Sequence, residues 1–99
     1  MLTLKVTKRN FDKAIKLSKK DSCNLNCAVA VAARDNAKLN ISGIGFTVLG
    51  FSNGIPLQCI KGDMSAFTYQ FDNLFPFDDI DSILALRATL PLILEFDTI

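Results

Sequence analysis

Apolar residues follow two different spacings over the first twenty positions of this 99-residue chain. Residues 2–6 alternate between apolar and polar, which predicts a half-buried β-strand. From position 8 to about Lys20 the apolar residues recur at helical spacing, and Thr7 or Asn10 can cap this first helix. Its core-facing side carries Phe11, Ala14, Ile15 and Ser18.

A second helix is predicted where residues 27–33 form a run without any polar side chain. Four of these seven residues are alanine, which has a high helix propensity and a low strand propensity. With Asn24 or Asn26 as its cap, the helix runs to about Asp35 and is buried on nearly all sides. We therefore expect it at the centre of the fold.

The middle of the chain is typical of a β-meander. Three short strands are predicted there: residues 39–41, 46–51 and 55–60. Residues 42–45 supply the first turn, and Asn53-Gly54 favours a hairpin because this pair tolerates positive φ. Pro56 marks the third strand as an edge strand or an irregular one.

The last third of the chain predicts two helices and a closing strand. Asp63 caps a third helix that Pro76 ends, with four inward residues at helical spacing: Met64, Phe67, Phe71 and Leu74. A short fourth helix follows three aspartates: Asp78, Asp79 and Asp81. Residues 92–97 alternate again, and if the terminal strands pair, Lys5 lies near Glu95 on the outer face. These elements predict a single α+β domain over residues 1–99, in which a small, mostly antiparallel sheet packs against two to four helices.

Composition narrows the class of protein. Apolar residues make up 49% of the chain and charged residues 21%, which indicates a folded globular domain. No apolar run reaches the roughly 18 residues that a membrane span needs, and the N-terminus lacks the pattern of a secretory signal. We therefore expect a cytoplasmic protein that makes no contact with membranes. Three cysteines argue against a disulfide framework, and they fall short of a structural zinc site, so no metal or cofactor is expected.

Catalysis is not expected, because the chain contains no histidine. The histidine-dependent triads are therefore impossible, and the usual general base near neutral pH is missing. Asp78, Asp79 and Asp81 form the main carboxylate cluster, which we interpret as a solvated helix N-terminus and an acidic surface. Gly43-Ile44-Gly45 lacks the third glycine of a phosphate-binding loop. The expected function is non-enzymatic.

Charge is distributed unevenly although the net charge is only +1. Residues 1–38 hold nine basic and three acidic side chains, whereas residues 39–99 hold two basic and seven acidic ones. One face of the first predicted helix carries Arg9, Lys13, Lys16 and Lys20. A solvated face, or docking to an acidic protein surface, is favoured over nucleic-acid binding, because no exposed aromatic residue accompanies the charges. The opposite signs of the two halves also allow a homo-oligomer.

The loop before the second helix is the remaining candidate site. It contains Ser22, Cys23, Asn24, Asn26 and Cys27. Backbone N–H groups at the start of that helix could hold an anion such as a nucleotide phosphate, and the helix dipole could lower the pKa of Cys27. We favour the simpler interpretation, in which the asparagines cap the helix and the cysteines fill apolar space. Four phenylalanines farther along the chain are expected in the core: Phe67, Phe71, Phe75 and Phe77. In the alternative interpretation, Phe75 or Phe77 is exposed and anchors a partner.

The order of several short motifs resembles a group of small phage-encoded proteins of unassigned function. The matching pieces are Val6-Thr7, Asp21-x-Cys23, Cys27-Ala28-Val29-Ala30, Phe67-x-x-x-Phe71-Asp72 and Leu94-Glu95-Phe96. Ala28 replaces an expected proline, and residues 78–90 are longer than the usual tail. The resemblance implies a viral or mobile-element origin, a host-cytoplasmic location and a compact α+β fold. It assigns no catalytic or binding residue.

The sequence thus predicts an accessory protein that acts through contacts with another protein, with host machinery as one class of partner. Two alternatives stay open. A nucleic-acid-binding protein would use the basic helix over residues 8–20, and a binder of a small nucleotide-like ligand would use the loop over residues 21–27.

Overall fold

The computed structural model describes residues 1–21, 23–51 and 54–98. Over these residues the chain forms the predicted α+β fold, with a five-stranded antiparallel sheet and four α-helices. The strands are β1 (Leu2–Val6), β2 (Gly43–Ile44), β3 (Val48–Gly50), β4 (Leu57–Lys61) and β5 (Leu92–Thr98). The helices are α1 (Lys8–Lys20), α2 (Ala28–Asp35), α3 (Met64–Asp72) and α4 (Ile80–Arg87), and a short 3₁₀ helix covers Asn24–Asn26.

The sheet has the order β1-β5-β4-β3-β2, so the two terminal strands pair with each other. Leu4 lies opposite Leu94, and both are buried on the face that the helices cover. On the other face, Lys5 lies opposite Ile93, one pair away from Glu95. The ion pair of Glu95 is formed instead with Lys61, at 3.6 Å.

The meander differs from the prediction in three places. Residues 39–41 form no strand, and the Leu39 N–H instead bonds the Ala33 carbonyl behind the end of α2. The predicted turn contains β2 instead, where Gly43 lies opposite Gly50. β4 is an interior strand rather than an edge strand, but its register shifts between Cys59 and Lys61, so it is irregular as expected. Asn53 of the predicted hairpin turn lies outside the described residues.

The start of α1 is fixed by a polar network at the end of β1. Thr7 is the N-cap, and its hydroxyl accepts a hydrogen bond from the Asn10 N–H. The buried Asn10 side chain accepts from the Thr7 N–H at 2.9 Å and exchanges amide hydrogen bonds with Asn36. Asn36 also donates to the Lys5 carbonyl. This network therefore holds together β1, the beginning of α1 and the end of α2.

Helix α2 occupies the centre of the core, as the alanine-rich run predicts. Six consecutive residues of this helix are buried: Ala28, Val29, Ala30, Val31, Ala32 and Ala33. Small side chains let neighbouring elements approach the helix closely, so α1 and β1 both pack against it. The expected asparagine caps are wrong. Cys27 is the N-cap, without a side-chain hydrogen bond, because the asparagines belong to the preceding 3₁₀ turn.

Aromatic side chains join α3 to α1. The Phe71 ring meets the Phe11 ring edge-on at 5.8 Å between centroids and lies 5.5 Å from the Phe77 ring. The four inward residues predicted for α3 and its end are all buried. Phe75 is 64% exposed, however, so the expectation that all four phenylalanines of this region are core residues is wrong for this one. It follows Asp72, where the helix ends and the inward spacing is lost.

Candidate binding sites

The predicted basic residues share the solvent side of α1, and we call them the basic face: Arg9, Lys13, Lys16 and Lys20. The same helix buries Phe11 and Ala14 on its opposite side, so the division of the two faces follows from its amphipathic spacing. Thirteen residues of regular helix place Arg9 and Lys20 about 16 Å apart along the axis. The face is convex, exposed and positively charged.

Two ion pairs border the basic face and reduce its charge at one position. The Lys13 ammonium lies 2.7 Å from the Asp35 carboxylate of α2, and this hydrogen bond holds the pKa of Asp35 below its ordinary value. On the other flank, Asp12 binds Arg87 of α4 at 2.8 Å. Within the described ranges, no carboxylate forms an ion pair with Arg9, Lys16 or Lys20. Three cations therefore face solvent uncompensated.

In the loop before α2, the polar groups that the structure describes form hydrogen bonds with the loop itself and with the end of α1. The Asn26 side chain donates to the Asp21 carbonyl at 2.6 Å, and the Ser18 hydroxyl donates to the Asn26 carbonyl. Cys23 is exposed beside this turn. Ser22 lies outside the described residues, as does the side chain of Asn24. The visible hydrogen bonds stabilise the connection from α1 to α2.

Cys27, at the end of this loop, is buried, with 4% of its surface exposed. Burial raises the pKa of its thiol, and the N–H groups of Ala30 and Val29 offset only part of that effect. The thiol is therefore neutral near pH 7, which argues against the reactive cysteine considered for this position.

We expect Cys23 to react with iodoacetamide at least about tenfold faster than Cys27 in the native protein, because only the thiolate is nucleophilic and Cys27 is both buried and neutral. Timed labelling followed by peptide mass spectrometry measures both rates. Because the pKa of Cys27 is raised, its rate should continue to increase with pH beyond the range in which an ordinary thiol levels off. Unfolding in urea should bring the two rates together. Equal rates in the native state would contradict this assignment.

A cavity of about 100 Å³ lies beside Cys27, between the start of α2, the β2–β3 turn and α3. It is lined by Cys27, Ile44, Gly45, Phe46, Thr68 and Asp72. Thr68 is buried, and its hydroxyl has no hydrogen-bond partner among the described residues. Burial raises the pKa of the Asp72 carboxyl. Cys27 and Asp72 also border a second cavity of about 340 Å³ on the side of Cys23 and Phe75.

Sequence reasoning found Cys27 but missed the α3 side of this cavity. Thr68 and Asp72 stand four residues apart, so one side of α3 presents both, and their spacing was readable from the sequence. Each follows directly after an inward residue, Phe67 or Phe71, and the spacing of those phenylalanines predicts a core face and not a binding site. No local pattern places this side of α3 against Cys27.

The acidic residues before α4 have a visible local role. Asp79 is the N-cap of α4 and accepts hydrogen bonds from the hydroxyl and the N–H of Ser82, which hold the pKa of Asp79 below its ordinary value. Asp81 lies in the first turn, and Asp78 is exposed just before it. This arrangement matches the predicted helix N-terminus in solvent.

Comparisons with protein-family models, with curated proteins and with solved structures give no match to this chain. Within the described ranges, no three histidine, cysteine or acidic side chains gather as a metal site would require. None of the helices in that part of the chain is long and apolar enough to cross a membrane.

Proposed function

We propose that this protein is a non-enzymatic accessory protein of a phage or mobile element, and that its basic face docks onto an acidic surface of another protein. The observation that carries the proposal is the set of three uncompensated cations on one side of α1: Arg9, Lys16 and Lys20. Like charges held on one rigid helix repel each other, and an acidic partner relieves that repulsion and speeds association.

A protein partner is favoured over nucleic acid by the residues around these charges. Single-stranded nucleic acid is held by aromatic stacking as well as by charge, but the aromatic residue of α1, Phe11, is fully buried. Asp12 adds a negative charge to the flank of the face, where it binds Arg87. A phosphate backbone gains nothing from this paired carboxylate, whereas a patterned protein surface can match both charges of the pair.

Two further considerations support this proposal. The chain has no histidine, and the acidic group before α4 is used in capping, so neither offers a catalytic centre. The order of short motifs that resembles small phage-encoded proteins supports a viral or mobile-element origin. With such an origin the protein would act in the host cytoplasm, which makes host machinery the first class of partner to test.

We expect the double variant K16E/K20E to bind its acidic protein partners at least about tenfold more weakly than the wild type does. The reason is that two lysines that attract the acidic surface are replaced by glutamates that repel it. The matched control is K5E/K38E, which changes the net charge equally but leaves α1 intact. Both variants and the wild type are used as bait in nuclease-treated bacterial lysate, and captured proteins are identified by mass spectrometry and titrated individually.

Partners retained by K16E/K20E, or lost equally from both variants, would contradict the proposal. Anisotropy of a labelled DNA duplex tests the nucleic-acid alternative. Tight, salt-sensitive binding that K16E/K20E abolishes would favour that alternative. Sedimentation of the purified protein shows whether the acidic partner is a second copy of this chain.

A further inference from the structure

The carboxylate of Asp72 occupies an unfavourable position in the cavity beside Cys27. Asp72 is the last residue of α3, where the negative end of the helix dipole repels a carboxylate. Among the described residues, its side chain forms no hydrogen bond and no ion pair. Asp72 is an exposed residue at the mouth of the cavity, and partial burial of its carboxyl raises the pKa of that group. A positive charge placed in the cavity would relieve this repulsion.

Thr68 gives a second and independent indication of a ligand. Its side chain lines the same cavity one helical turn before Asp72, and it is only 7% exposed. Its Oγ1 is buried without a partner in the described part of the chain. Buried hydroxyls normally have a hydrogen-bond partner, and those that lack one commonly mark a binding function or an ordered water.

The remaining walls define the shape and polarity of the site. The neutral Cys27 sulfur is a weak acceptor, and Ile44 and Phe46 supply apolar surface on the opposite side. Phe46 is 51% exposed on the turn that the Gly45 N–H closes onto the Val48 carbonyl. An aromatic face next to a carboxylate is a favourable environment for a cation.

We propose that this cavity binds one primary ammonium group carried on an aliphatic chain. An ammonium has three N–H donors and no acceptor, and the cavity offers three acceptors: the Asp72 carboxylate, the Thr68 hydroxyl and the Cys27 sulfur. The volume of about 100 Å³ leaves room for an ammonium head with its first carbons. A nucleotide phosphate is disfavoured, because it would meet the like charge of Asp72.

This site is separate from the basic face and does not depend on the function proposed for it. Its ligand has two sources, a free alkylamine or a lysine side chain of another protein, and both present the same group. The probes are therefore n-propylammonium chloride for the first source and Nα-acetyl-lysine methylamide for the second. Sodium chloride at equal concentration controls for ionic strength.

Two-dimensional amide NMR of the full chain is the test. We expect saturable shifts at Ile44, Phe46 and the end of α3 with at least one probe, and the probe that binds more tightly identifies the source. D72N should weaken binding at least about tenfold, because it removes the charge and retains the shape. T68V should weaken it less, and D78N, at an exposed aspartate, should leave it unchanged.

Several outcomes would overturn the proposal. Shifts that never saturate or that match those of sodium chloride would show that the cavity holds only water. Equal affinity in the wild type and D72N would show that the carboxylate does not recognise the ligand. Each variant must first give a dispersed spectrum close to that of the wild type, and if D72N fails to do so, D72E replaces it. In D72E the longer side chain should still weaken binding, and unchanged affinity would again overturn the site.

Discussion

Replacing Gly62 by alanine is expected to lower the free energy of unfolding by about 3 kcal/mol, one of the largest losses from adding a single methyl group to this chain. Gly62 has a φ of 96°, a conformation that L-residues with a side chain rarely adopt. A Cβ there would lie 2.5 Å from the Ile93 carbonyl oxygen and 2.7 Å from a methyl carbon of Leu94. Relief would require β4 and β5 to move apart beside the existing register shift.

Urea denaturation of G62A measures this effect, and thermal unfolding should show a midpoint lowered by roughly 12–24 °C. G43A is the matched control, since a Cβ at Gly43 meets no atom within 4 Å. We expect that control to remain within about 1 kcal/mol of the wild type. If G62A were as stable as G43A, the close approach of residue 62 to β5 would be wrong.

Replacing Phe71 by alanine is expected to cost about 4 kcal/mol, because it removes a fully packed ring and leaves a cavity. Phe71 is 2% exposed and contacts the rings of Phe11 and Phe77, so it connects three parts of the chain. A domain of this size has a total stability of only about 5–15 kcal/mol, so the variant would be close to unfolding.

Phe75 provides the control for that change, since it is also a phenylalanine and lies four positions away. It is 64% exposed and has one edge-on contact with Phe77 at 6.2 Å. F75A should therefore lose less than about 1 kcal/mol. Urea denaturation of both variants gives the comparison, and equal losses would contradict the packing assigned to these rings.

The helices were predictable because the information that forms them is local. The cap at Thr7 and the spacing of Phe11 and Ala14 define α1 within a few residues, and the alanine run defines α2. The cap of α2 was not predictable, because Asn26 donates to the Asp21 carbonyl instead of the helix start. The Asn26 side chain could either cap α2 or bond the backbone of the preceding loop, and the tertiary structure determines which of the two hydrogen bonds forms.

The middle strands were the least predictable elements because each is short and depends on a distant partner. β2 has two residues, and it forms only by pairing with β3, where Gly43 lies opposite Gly50. Pro56 indicated an edge, yet it precedes β4, so that strand pairs on both sides without its missing N–H. Local sequence carries little information about pairings of this kind.

The candidate sites divide in the same way. The basic face follows from spacing along one helix and was fully predictable, but the pairing of Lys13 with Asp35 was not. The cavity requires Cys27, Phe46 and Asp72 to meet from three separate elements, and no sequence pattern specifies that meeting.

The position of β5 between β1 and β4 has a consequence for biosynthesis. Leu4 pairs with Leu94, so β1 gains its neighbour only after residues 92–98 have emerged from the ribosome. Until then, the backbone N–H and C=O groups along the β5 edge of β1 have no strand partner. Such long-range closure is slow compared with helix formation. A stalled or shortened translation product would therefore be a ready substrate for chaperones and proteases.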